Sequence, residues 1–171
     1  DLYVSAIRMD ELQVISQRSE AKHILCLVDA CYGGMMGIGY RGLTSIDGPN
    51  YIETITKYRA RQVISAGGRG EKVIEKSEWG HSAFTKNLIS GLKDWMADLD
   101  NDGIITTQEL GAFLKNHVII DSDNQQNPKT RNIGSSTDEG EFVFFQHSNI
   151  ARAPSISSGK NISSQPKNVN L

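Results

Sequence analysis

The sequence predicts an α/β fold: a mainly parallel sheet with helices packed on it. Three observations carry that expectation. His23 to Asp29 is an almost continuous apolar run of strand length that stops in the glycines Gly33 and Gly34. Such unalternating runs suit a central strand covered on both faces. Arg61 to Ala66 repeats the pattern and is stopped by Gly67, Gly68 and Gly70. Around these runs lie segments of helical period, and strands alternating with helices argue for an α/β arrangement.

The elements follow in order. Met9 to Gln17 places Met9, Leu12, Val14 and Ile15 among polar residues, a short amphipathic helix. The apolar run from His23 comes next. Gly33 to Asn50 carries Gly37, Gly39, Gly42 and Gly48 and reads as a long mobile loop, of the kind that is functional or disordered. Tyr51 to Arg59 fits a short helix, followed by the second strand. Ser82 is a good N-cap for a helix from Ala83 to Met96, with Phe84, Leu88, Ile89, Leu92 and Trp95 along one face. Thr107 to His117 makes a further helix through Leu110, Phe113 and Leu114, and Phe142 to Phe145 a last strand. From Ser148 the chain is rich in Ser and Asn and lacks aromatic residues, which predicts a linker or disordered tail over 148–171.

Composition narrows the function classes. A chain of 171 residues can bury roughly two-thirds of its unfolded surface, enough for one ordinary core. Its net charge of −2 gives no general electrostatic case for nucleic acid or an anionic membrane. The apolar runs are too short to span a bilayer. Two cysteines make no disulfide framework, so a reducing, cytoplasmic setting is the default. The chain opens on Asp1 and reads from there as the middle of a longer protein.

Cys31 ends the first strand and precedes two glycines. Ligands and catalytic groups collect at the carboxyl ends of strands in open α/β sheets. Glycines after a nucleophile let backbone N–H groups, near Gly33 here, face a developing oxyanion. Asp29 points to the same side as Cys31 if the strand geometry persists, and its carboxylate could hold a basic substrate group. An inert small residue at a strand end is the alternative for Cys31. Cys26, inside the run, belongs to the core.

Lys22 to Gly34, with Asp29-Ala30-Cys31 at its centre, resembles the nucleophile segment of the caspase-like cysteine peptidases, closest to prokaryotic members and metacaspases. Met9-Asp10-Glu11-Leu12, Ala60 to Gly68, Gly80 to Thr85 with Leu88, Gly91 and Leu92, Gln126-Asn127-Pro128 and Gly140 to Phe144 resemble further segments of that family in the same order. The resemblance implies a three-layer sandwich with a mainly parallel central sheet flanked by helices, truncated at its N-terminus. The peptidase domain would span 1–147. Asp29 stands where the caspase signature has Gln, which implies cleavage after Arg or Lys. Ser65 and Glu71 would then flank the substrate pocket; a surface glutamate is the alternative for Glu71. Arg41 is either a self-cleavage position or a solvated loop residue. Trp79 either lines the pocket or covers the core.

A thiol nucleophile needs a base. The family's histidine precedes its cysteine by about 50 residues, and only 30 residues precede Cys31. His23 lies in the same strand, roughly 26 Å away at 3.3 Å per residue. His81 at a helix start suits a local hydrogen bond, His117 suits a helix C-terminus, and His147 borders the tail. The expected partner is therefore a missing N-terminal segment that supplies the histidine.

Asp98 to Glu109 fits the calcium loop of an EF-hand. Asp98, Asp100 and Asp102 hold positions 1, 3 and 5, Gly103 holds position 6 and Glu109 position 12. Ile104 would offer its carbonyl, Thr106 a direct or water-borne ligand, and Ile105 an apolar core contact. A solvated acidic turn with helix caps is the alternative. The expectation is thus a cysteine endopeptidase acting on peptides or proteins, with Ca2+ as a possible ligand. Its rival is a non-catalytic calcium-binding or scaffold module of the same fold.

Overall fold

The computed structural model describes residues 8–31, 50–68, 70–134 and 140–146, with Met9 and Cys31 described by their backbone. Helix α1 (Met9–Arg18) leads into strand β1 (His23–Cys31), helix α2 (Tyr51–Lys57) and strand β2 (Ala60–Gly67). A short hairpin, β3 (Glu75–Lys76) and β4 (His81–Ser82), precedes helix α3 (Ala83–Lys93). Strand β5 (Ile104–Thr106), helix α4 (Thr107–Asp121), β6 (Lys129–Asn132) and β7 (Val143–Phe145) complete a mixed α/β arrangement. The long loop after Cys31, with Gly33 and Arg41, lies outside the described residues, as do His147 and the tail.

Strand β2 is the centre of a small mixed sheet. It pairs parallel with β1, Leu27 facing Ile64, and antiparallel with β6, Ser65 facing Lys129. The expected mainly parallel sheet is therefore half antiparallel among the described residues. Every residue of β2 is buried, whereas β1 lies at the edge of the described order β1-β2-β6. Leu27 is 37% exposed. Among the described residues the apolar run thus sits at the sheet edge rather than in the central strand. The more polar β2 takes that place because its polar groups are bonded. Gln62 Oε1 accepts from Thr107 Oγ1 and from Phe142 N–H, each at 2.9 Å.

Alternate residues of β2 feed two apolar clusters, as strand geometry requires. Ile64 and Ala66 join Phe84 of α3 with Leu110, Phe113, Leu114 and Val118 of α4. Val63 joins Ile133, with Leu12 of α1 and Cys26 and Val28 of β1 packed against them. Cys26, expected in the core, is half-buried against the Val63–Ile133 cluster, and burial pushes its thiol pKa up.

The helix ends have local causes. Ser82 caps α3 by accepting from Thr85 N–H at 3.0 Å, as its position predicts. The helix stops at Lys93 rather than Met96 because Trp95 turns left-handed, at φ 59°. Helix α4 outruns the expected end at His117 and reaches Asp121, since buried Val118 continues its apolar face. His117 therefore lies inside the helix, its ring 4.2 Å from that of Phe113. Among the described residues no helix is long and apolar enough to cross a membrane.

Candidate functional site

The end of β1 is irregular. Val28 faces Ser65 and Cys31 faces Gly67, so β1 takes three steps where β2 takes two. This is a bulge at Asp29 and Ala30, a device that bends a strand and re-aims its side chains. Even alternation does not run through it, so the premise that set Asp29 and Cys31 on one side of a regular strand does not apply here.

Asp29 is exposed, and one of its oxygens is fully engaged. Oδ2 accepts from Ser82 Oγ and from Thr85 Oγ1, both at 2.6 Å. The chain thus ties the end of β1 to the first turn of α3, where helix N–H groups favour an anion. Asp29 lines an open groove of about 630 Å³ together with Glu75, Lys76, His81, Ser82 and Thr85. The hairpin β3–β4 forms one wall, with Lys76 opposite His81 in its register. Trp79 in the hairpin turn packs against the main apolar cluster. Its ring lies under the Lys76 ammonium at 4.5 Å and the Lys86 ammonium at 4.7 Å from the centroid.

The remaining pocket candidates serve the backbone. Ser65 is buried in β2 and donates to Gly67 O at 3.3 Å. Glu71 Oε2 accepts from Gly68 N–H at 3.0 Å and Asn127 N–H at 2.7 Å, holding the turn after β2 to the segment before β6. Neither lines the groove that contains Asp29. Of the histidines, His23 sits at the far end of β1 with Nε2 2.9 Å from Tyr58 O, and burial lowers its pKa. His81 makes no side-chain hydrogen bond among the described residues and lines the groove instead, against the expectation of a local bond. The spacing arguments named Asp29 and Ser82 but missed Thr85, Glu75 and Lys76. The one available signal was Thr85 at the third helical position after a recognised cap.

The acidic loop is a second constellation. It connects α3 to α4, as the motif requires. Asp98, Asp100 and Asp102 each bring one carboxylate oxygen within 4.8 Å of the others. Gly103 turns left-handed at φ 81°, and Ile105 is fully buried in the main cluster. Glu109 faces the backbone instead. Its Oε1 accepts from Leu99 N–H at 3.0 Å, and its Oε2 from Thr106 N–H at 2.9 Å, completing a capping box with Thr106 at the start of α4. Burial raises the pKa of Asp102, helped by the negative charge of Asp100, Glu109 and Asp98. The same loop acts on α2: Tyr51 is pushed up to about 12, by burial first and then by Glu141, Glu109, Asp100 and Asp102. An all-oxygen, trivalent acidic set of this kind fits a hard cation such as Ca2+ better than a thiol- or imidazole-seeking metal.

No protein-family model, curated protein or solved structure matches the chain.

Proposed function

We propose that the chain carries the nucleophile and specificity groove of a caspase-like cysteine endopeptidase, a three-layer sandwich, that cleaves after Arg or Lys. The observation that supports this reading is Asp29. It is a carboxylate two residues before Cys31, at the carboxyl end of a parallel strand, held at a helix start in a groove open to a peptide side chain. A cationic side chain seated on Asp29 would bring the following peptide bond towards Cys31.

The chemistry is acyl transfer. The Cys31 thiolate attacks the scissile carbonyl carbon, and the carbonyl electrons move to oxygen. Backbone N–H groups at Cys31 and Gly33 stabilise that oxyanion. As the C–N bond breaks, a histidine gives its proton to the departing amine. Water then attacks the thioester, the same histidine takes its proton, and the Cys31–carbonyl bond breaks to release the acid. That histidine is assigned to family sequence ahead of α1: His23 sits at the far end of β1, and His81, although it lines the groove, stands at a position that the resemblance gives as non-catalytic. Ser65 and Glu71 act on the groove only through the backbone they hold. A reducing, cytoplasmic setting keeps Cys31 a thiol, and neither nucleic acid nor membrane enters the scheme.

The complete protein is expected to hydrolyse Arg- and Lys-ended fluorogenic peptides, and Cys31→Ala to abolish turnover. Equal turnover by that variant would overturn the assignment. Asp29→Ala should lower kcat/KM for basic substrates by roughly ten- to a hundredfold, the scale of one hydrogen bond to a charged group.

A second reading is favoured by the convergence of Asp98, Asp100 and Asp102. In it the chain is a non-catalytic calcium-binding or scaffold module. Asp98, Asp100, Asp102, the Ile104 carbonyl and Glu109 would hold the ion, which supplies loop order rather than chemistry. The coding sequence just upstream of Asp1 separates the two. A strand ending in a Gly-His-Gly-like turn favours the peptidase, and its absence favours the module.

A further inference from the structure

Asp29 offers a substrate one oxygen, not two. Each carboxylate oxygen has about two acceptor positions. Oδ2 already accepts from two hydroxyls, Ser82 Oγ and Thr85 Oγ1, each at 2.6 Å. Ser82 Oγ also accepts from Thr85 N–H at 3.0 Å and the residue is 4% exposed, so Asp29 is the partner to which its hydroxyl donates. Oδ1 accepts no hydrogen bond among the described residues, and the residue is exposed beside the groove.

A guanidinium gains its advantage over an ammonium by a fork, with parallel N–H groups reaching both carboxylate oxygens. With Oδ2 saturated, that fork has only half a partner. An arginine and a lysine each place one charge-assisted bond on Oδ1. Glu75 on the hairpin wall adds negative charge and Lys76 beside it positive charge, and each acts on either cation alike. Resting on the peptidase reading above, we infer that Ser82 and Thr85 are positioning residues that saturate Asp29 Oδ2, so that the groove accepts a lysine-type ammonium as readily as an arginine-type guanidinium.

The test uses the intact protein and two small probes, n-butylguanidinium and n-pentylammonium, with affinities from NMR titration. Wild type should bind the two within about threefold of each other, and Asp29→Asn should lose both. Thr85→Val removes one donor from Oδ2 and should shift the ratio about tenfold towards guanidinium, the scale of one charge-assisted bond. Thr85→Ser, which keeps the hydroxyl, should retain the wild-type ratio. A wild type that already prefers guanidinium by more than about tenfold, or a Thr85→Val ratio that does not move, overturns the inference and leaves the basic groove standing. Probes that bind wild type no better than Asp29→Asn overturn both.

Discussion

Arg61 carries its guanidinium into the interior, at 2% exposure on β2. It donates to the carbonyls of Ser16 at 2.9 Å, Lys22 at 2.8 Å and Ser19 at 3.2 Å, and to those of Ala60 and Ala21. Those of Ser16 and Ser19 belong to the end of α1, where the helix dipole favours a cation. One side chain therefore fastens α1 and the turn before β1 to the central strand. Arg61→Met should lower stability by about 3 kcal/mol or more in urea unfolding, because it strands several carbonyls at once. Arg61→Lys should recover part of the loss, since a three-donor point charge cannot reproduce the planar set. An Arg61→Met protein as stable as wild type would remove this role. At the same scale the site was partly legible. Asp29 and Cys31 stand out from their place after an apolar run. Ser82 and Thr85, 53 and 56 residues from Asp29, do not, because their partnership exists only once α3 meets β1.

Among the elements, helices were read best and polar strands worst. Helices α1, α3 and α4 announce themselves through apolar spacing and α3 also through Ser82 as its cap, whereas Thr106, expected as a ligand, is the cap of α4. Strand β6, Lys-Thr-Arg-Asn, has no apolar pattern to betray it, and the bulge in β1 depends on register with β2. The acidic loop is the element with the clearest internal conflict. Its three aspartates crowd within 4.8 Å, and like charges so placed repel. A cation would relieve that repulsion, while Glu109 would have to exchange its capping bonds for the ion. Asp102→Asn is therefore expected to act in opposite directions. Without calcium it should raise the urea midpoint, since the Asn carbonyl can still accept from Ile104 N–H and the charge is gone. With calcium it should weaken binding by about tenfold or more in calorimetric titration. No heat and no stabilisation at millimolar calcium in wild type would remove the ion from this loop.

At the scale of the whole molecule, residues 140–146 close the structure. Gly140 N–H reaches Arg59 O at 3.0 Å, Glu141 N–H reaches Ile55 O at 2.8 Å, and Phe142 N–H reaches the buried Gln62. Glu141 Oε1 accepts from Gln108 N–H at 2.7 Å, at the start of α4. One short segment thus joins α2, β2 and α4. A side chain at Gly140 would run into backbone, the Tyr58 carbonyl and Arg59 O at 2.8 Å, which no rotamer change can relieve. Gly140→Ala should cost about 2 kcal/mol or more and lower the thermal midpoint as a single transition. Unchanged stability would show that the segment docks differently. The α/β class could be read from the order of segments, but this closure could not. It depends on which backbone groups happen to meet, and backbone groups are the same at every position of a sequence.

Strand β5 is the second half of the acidic loop, and it pairs with β7, Ile105 opposite Phe144, while Gln146 N–H reaches Gly103 O at 3.2 Å. The loop's shape is therefore set from a distance along the chain as well as by the hydrogen bonds inside its own twelve-residue span. A synthetic peptide of residues 98–109 would lack that template and present its carboxylates as a fluctuating set. Were an ion held there, its affinity would be a property of the closed fold, and molecules in which Val143 to Phe145 has peeled away would be the first to lose it.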